Sequence, residues 1–315
     1  MRLALYTDAF PDRPLEDVLD WVKAAVPEIS EVEIGTGGYS EAPHCPLRAL
    51  LSDRSSLEAW HAAITARGFG LVALNVSGNP LHPDPAVARV HDSDLRDTIR
   101  LAAILGVERI VAMSGCPAAG PSGGVAPHFS GGGWLPDLER IAEWQWRERV
   151  GPYWAEIVDV ATAEHPDLEI CLELHPGTYV YNTTTFLRLS ALGDNIAVNL
   201  DPSHFFWQSI DPLAVINAVG ARIGHVHAKD TRFNQASLAL NGLLDNRWPD
   251  PADEMPWTFA TVGRGHDEAW WQAFLGALSQ AGYEGAIGIE HEDPFASAET
   301  GVAESARLLA SHLSD

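Results

Sequence analysis

Four stretches of this chain share one shape: an apolar run that ends in polar, chemically active residues. They are Glu169–His175 (EICLELH), Ile196–His204 (IAVNLDPSH), Ile223–Asp230 (IGHVHAKD) and Gly285–Asp293 (GAIGIEHED). Short, nearly continuous apolar runs are strands buried on both faces, the pattern of a parallel sheet covered by helices. A strand that is apolar upstream and polar at its exit delivers chemistry to the rim of a parallel barrel. Glu173, Asp201 and Glu290 each stand where such a run ends. His225, His227 and Lys229 share one strand parity, because side chains alternate faces with period two.

The remaining chain reads as the scaffold that converges them. Strand-like segments at 2–7, 31–35, 71–76, 109–113, 169–174, 196–200, 223–227 and 286–289 alternate with helical segments at 14–26, 55–67, 85–105, 136–165, 183–192, 211–219, 267–281 and 296–313. Pro14 suits a helix start, where a missing N–H costs nothing. Ser55 or Ser56 is the expected cap of the second helix, and Gly68 and Gly106 stop the second and third. Eight strand–helix repeats with no shift in composition make residues 1–315 one domain, a single (β/α)₈ barrel of ordinary length for that fold. A doubly wound open sheet is the competing architecture. Four polar exits in succession suit a ring better than a crevice at one switch point. Two long connections, 114–134 after strand four and 231–265 after strand seven, fall on the catalytic face. Both mix Gly, Pro and Trp without periodicity and read as structureless loops. A connection as long as the second is a functional lid or a partner surface.

The totals exclude several classes. Twenty Lys and Arg against 43 Asp and Glu give a net charge of −23, which argues against nucleic acid or an anionic membrane as partner. The three cysteines, Cys45, Cys116 and Cys171, are widely spaced and form neither a disulfide framework nor a CxxC metal site. The opening MRLALYTDAF runs straight into a strand and lacks the apolar region of a signal peptide. No segment approaches the roughly 18 apolar residues of a membrane span. A cytoplasmic location is therefore expected. The chain lacks GxGxxG after its first strand, a GxxxxGKS loop and a GxSxG elbow, so dinucleotide, P-loop and serine-hydrolase chemistry are unsupported.

The four exits together do carry chemistry. Carboxylates held in nearly apolar surroundings must be paired, protonated or metal-bound. Three of them converging without a cation would repel one another and force one pKa upward. A divalent ion with Glu173, Asp201, His227 and Glu290 as ligands removes the conflict. Three oxygens and one nitrogen favour Mn²⁺, with Mg²⁺, Co²⁺ or Zn²⁺ as further options, over a thiolate-type zinc site. Open positions would chelate neighbouring hydroxyl and carbonyl groups and acidify the adjacent C–H. A carboxylate at the metal is close enough to take that proton. The chemistry is aldose–ketose isomerisation or epimerisation through an enediolate; loss of a β-substituent from the same intermediate makes a lyase or dehydratase.

These residues also resemble a known family. ELHPG at Glu173–Gly177, NLDPSH at Asn199–His204, HVHAKD at His225–Asp230 and IEHED at Ile289–Asp293 look like the xylose isomerase-like TIM-barrel superfamily, in its sugar phosphate isomerase/epimerase branch. The likeness covers essentially the whole chain. It implies metal ligands at Glu173, Asp201, His227 and Glu290, with Glu173 and Glu290 as acid/base on opposite substrate faces. By the same likeness His204 holds substrate hydroxyls beside the metal. The family includes 3-epimerases, hydroxypyruvate-type isomerases, inosose dehydratases and lyases acting on 3-oxo-glycosides. A metal-dependent sugar isomerase or epimerase acting on a ketose or polyol-ketone is the expected activity. The alternatives are a lyase or dehydratase on an inosose or 3-oxo-glycoside, or a non-catalytic sugar-binding barrel. A homodimer or homotetramer is the expected assembly, or a small partner subunit for a lyase.

Further residues are candidates at the rim. His175 either binds substrate or orients Glu173, and Lys229 and Arg232 are candidate substrate contacts. Lys229 equally suits a rim ion pair. His225, one layer deeper than His227, reads as a core or supporting histidine. His44, Asn75 and His128 lie at strand exits and could line a pocket. Trp134 and Trp207 are the candidate sugar-stacking rings. His266 closes the GRGH segment, and Asp267 suits a helix cap.

Overall fold

The computed structural model describes residues 1–131, 135–245 and 251–313. Eight strands form a closed barrel: β1 (Arg2–Tyr6), β2 (Ile29–Gly35), β3 (Gly70–Asn75), β4 (Arg109–Ala112), β5 (Glu169–Glu173), β6 (Ile196–Leu200), β7 (Ile223–Ala228) and β10 (Ala286–Ile289). They pair in parallel in chain order, and β10 closes the ring between β7 and β1. The (β/α)₈ architecture follows from the sequence as argued, and the open sheet does not form.

Helix boundaries follow local chemistry. The helix Pro85–Leu105 starts with Pro in its first turn and Asp84 accepting from the N–H of Ala86. It stops at Gly106, which adopts the left-handed conformation (φ +69°) that costs glycine little. The expected cap at Ser55 or Ser56 is corrected. Asp53 caps the helix Arg54–Thr65 and accepts from the N–H groups of both serines; a carboxylate there also answers the positive end of the helix dipole. The segment expected at 136–165 is two helices, Pro136–Gln145 and Gly151–Glu164, joined by a π-helical turn over Trp146–Val150.

Two apolar layers result. The large one lies between sheet and helices and includes Leu3, Leu5, Ile34, Trp154, Phe186, Trp271 and Phe274. A small separate one, Ala73, Val111, Cys171 and Ala197, shares the parity of Asn75, Glu173 and Asn199 and so lies on the inner face. The lumen is thus filled by small apolar side chains below and polar ones above.

The connection 231–265 is not structureless. β8 (Asp230–Phe233) and β9 (Trp257–Ala260) pair antiparallel, with Asp230 opposite Ala260 and Phe233 opposite Trp257. The helix Gln235–Asn241 sits between them. Four-residue strands are too short to show a period in sequence, and their pairing is fixed from outside. The buried Asp230 carboxylate accepts from the backbone of Gly263 (3.1 Å), Gly265 (3.0 Å) and His266 (2.9 Å). It also accepts from His266 Nδ1 (2.7 Å) and Trp271 Nε1 (3.3 Å). Among the described residues no helix is long and apolar enough to cross a membrane.

Candidate metal centre

Five strands carry polar inner-face residues toward the same end of the barrel: Glu33 on β2, Asn75 on β3, Glu173 on β5, Asn199 on β6 and His227 on β7. Register aligns Glu173 with Asn199, Asn199 with His225, and His227 with Gly288. One donor atom each from Glu173, Asp201, His227 and Glu290 converge to within 4.8 Å of one another. Nδ1 of His227 lies 3.0 Å from Glu290 Oε2 and 3.4 Å from Glu173 Oε1. His204 Nε2 lies 3.3 Å from Asp201 Oδ2 and 3.8 Å from Glu173 Oε1. Asp201 and His204 are buried, yet among the described residues Asp201 Oδ2 and His204 Nε2 have no hydrogen-bond partner. Buried polar atoms are normally hydrogen-bonded, and two that are not, facing a carboxylate cluster, suit a bound ligand. The donor set fits a divalent cation.

The electrostatics agree. Burial pushes the Asp201 carboxyl up to about 7; Lys229 opposes this, and Glu173 and Glu290 reinforce it. Burial would raise Glu290 too, but the charges of Lys229 and His227 pull it down to about 2. Burial disfavours a charged His227, yet Glu33 and Glu290 hold its pKa well above the ordinary value. His204 goes well below its ordinary value, through burial and then the charges of His175, Lys229 and His227, and is neutral.

Lys229 is the chain's own cation at this site. Its Nζ lies 2.8 Å from Glu290, 3.1 Å from Glu292 and 3.2 Å from Asp201. The ring of Phe259, from β9, lies 4.5 Å from the ammonium and packs edge-on against His204. The second insert therefore forms one wall of the site. His175 packs its ring against His204 at 4.2 Å.

Other candidates fall elsewhere. Arg232 stacks over Phe295 at 4.3 Å and forms no hydrogen bond or ion pair with the carboxylate cluster among the described residues. His44 is buried and tied to Thr7 Oγ1 (3.0 Å) and to the carbonyl of Arg13 (2.9 Å), a loop-fixing role. The carbonyl of His128 accepts from Gln145, which holds the first insert together. Trp207 stacks on Trp257 at 4.7 Å. Trp134 lies outside the described residues. His266 stacks on Phe206 and binds Asp230, and Asp267 caps the helix Glu268–Gln280.

Sequence reasoning missed Glu33 and Asn199. Glu33, on β2, is fully buried and accepts from His225 Nε2 (2.7 Å), His227 Nε2 (2.9 Å) and Asn75 Nδ2 (2.8 Å). Asn199 donates to Glu173 (3.3 Å) and to His227 Nδ1 (3.1 Å). The signal was present: Glu33 sits between Val32 and Ile34 just as Glu173 sits between two leucines.

A model of the xylose isomerase-like TIM barrel family matches residues 32–312. The chain belongs to that family. It is 38% identical to an uncharacterised protein of Bacillus subtilis, YfiH, over 98% of both chains. An inosose dehydratase of Lacticaseibacillus casei is 30% identical over 53% of this chain and 50% of its own. Among solved structures, the IOLI protein with a bound zinc atom superposes over 100% of both chains at a TM-score of 0.67 and 18% identity. That likeness speaks to the fold.

Proposed function

We propose that this protein is a divalent-metal-dependent enzyme that removes a proton beside a carbonyl of a ketose or related polyol-ketone and returns it as an isomerase or epimerase. The convergence of Glu173, Asp201, His227 and Glu290 on one point carries the reading. Mn²⁺ is the ion the oxygen-rich donor set suits best. The ion supplies polarisation of the carbonyl and acidification of the neighbouring C–H. Glu173 and Glu290 face each other across His227 and serve as the proton-transferring pair. His204, neutral and with Nε2 unpartnered, accepts a substrate hydroxyl hydrogen. His175 backs His204, Lys229 steadies the developing oxyanion, and Phe259 keeps water away. Three buried, unpaired thiols support a reducing cytoplasmic location.

A second reading is a lyase or dehydratase. Glu290 is ion-paired with Lys229, whereas Glu173 lies against Asn199, His227 and His204, so the two carboxylates stand in unequal surroundings. One carboxylate free of an ammonium and one paired with it suit the different tasks of β-elimination, and the half-length likeness to an inosose dehydratase points the same way. Incubation in D₂O with ketoses, inososes and 3-oxo-glycosides, followed by NMR, decides. Deuterium beside the carbonyl in a product of otherwise unchanged mass means isomerase or epimerase; loss of water or an aglycone means lyase. No exchange with any substrate, with or without metal, overturns both.

A further inference from the structure

We propose that Glu33 is a positioning residue: it accepts the Nε2 proton of His227 and so turns Nδ1 of that ring toward the carboxylate cluster. The inference rests on the metal centre proposed above. Nε2 of His227 lies 2.9 and 3.1 Å from the two Glu33 oxygens, while Nδ1 faces Glu173 and Glu290. The Asn199 amide nitrogen, 3.1 Å from Nδ1, is a donor and needs a lone pair there. Reversing that amide would set its oxygen against Glu173, so the assignment holds. A proton on Nε2 and a free pair on Nδ1 is the tautomer of a metal-ligating imidazole.

Glu33 is itself locked. His225 Nε2 and Asn75 Nδ2 donate to its two oxygens, so donors from β7 and β3 fix a carboxylate on β2. Gly288, opposite His227 on β10, leaves the space. A Cβ there would lie 3.2 Å from His225 Nε2 and 3.3 Å from both Glu33 Oε2 and His227 Cδ2. Among the described residues His225 has no other hydrogen-bond partner, and its Nε2 bond to Glu33 is the polar contact that accounts for it. Glu33 also adds charge. Beside Glu173, Asp201 and Glu290 it is a fourth carboxylate around the ring of His227, opposed by the ammonium of Lys229. An imidazole that donates to a carboxylate is the stronger ligand for that ion.

The test measures metal binding without substrate. Metal-stripped wild type and Glu33→Gln are titrated with Co²⁺ by calorimetry, with far-UV circular dichroism as the control for folding. Gln keeps the shape and one accepting oxygen but loses the charge, and the Co²⁺ Kd is expected to rise about 10- to 100-fold. Histidine ¹⁵N spectra of the Zn²⁺-loaded wild type need no variant and are expected to place the His227 proton on Nε2 and the metal on Nδ1. A folded Glu33→Gln with a Kd within about twofold of wild type overturns the inference, as does a proton found on Nδ1. Wild type that takes up no Co²⁺ overturns the metal centre itself, a result distinct from equal uptake by both proteins.

Discussion

Asp201 and Glu290 belong to one cluster, yet their surroundings drive them in opposite directions. Burial dominates at Asp201, and two neighbouring carboxylates add to it; at Glu290 an ammonium and an imidazole win. A carboxyl raised from about 4 to about 7 binds more protons folded than unfolded across that range. Its contribution to stability therefore falls as pH rises through that window and levels off above it. The Asp201→Asn variant carries no such penalty. In EDTA, the melting temperature of Asp201→Asn relative to wild type is expected to climb from pH 4 to pH 7 and then flatten. A difference independent of pH would show that Asp201 is ionised throughout. Whether a carboxylate matters was legible at this scale only where it ended a strand. Glu33 lies two residues before the end of β2, and nothing in Val32–Ile34 says that two histidines 192 and 194 positions later reach it.

The second insert shows what an element adds. Its hairpin brings Phe259 onto Lys229 and His204, and Asp230 holds it by five hydrogen bonds, three of them from the Gly263–His266 backbone. Gly265 permits the close passage, since a Cβ there would meet the carbonyl oxygen of Thr231 at 2.1 Å. Backbone cannot yield as a flexible side chain can, so Gly265→Ala is expected to cost about 1–3 kcal/mol. Asp230→Asn turns one accepting oxygen into a donor facing other donors, at a similar cost of about 1–3 kcal/mol. Limited proteolysis reads both: cleavage within 231–265 is expected to quicken while the barrel fragment persists. Equal resistance to wild type would mean the hairpin is held by other contacts.

At the scale of the whole molecule the proposed metal would be a folding ligand. A site built by β5, β6, β7 and β10 exists only when the barrel is closed, so an ion that binds it stabilises the closed form. At 100 times its Kd the gain is about 2.7 kcal/mol. For a chain of this size that is a rise in melting temperature of about 4 °C. Mn²⁺ added to EDTA-treated protein is expected to produce it, and Asp201→Asn to abolish most of it. An unchanged melting temperature in wild type would count against the four-ligand centre. The net charge of −23 sits outside this balance, because most of it is on the surface and screened by salt.

The run EICLE reads as a strand buried on both faces, and its repetition with helices between calls for a parallel sheet, which closes into a barrel. Local rules also chose the polar exits, because period-two alternation puts Glu173 and Asn199 on the face of Cys171 and Ala197 whatever surrounds them. Tertiary structure decided the partnerships. Register set Gly288 beside His227 and so opened room for Glu33, and only the closed ring brings β2 within reach of β7. The insert looked shapeless because its order comes from Asp230, a residue outside the segment that reads as loop. Side chains that meet across a barrel leave no periodic trace in the chain, since hydrogen bonds between them depend on closure and not on spacing.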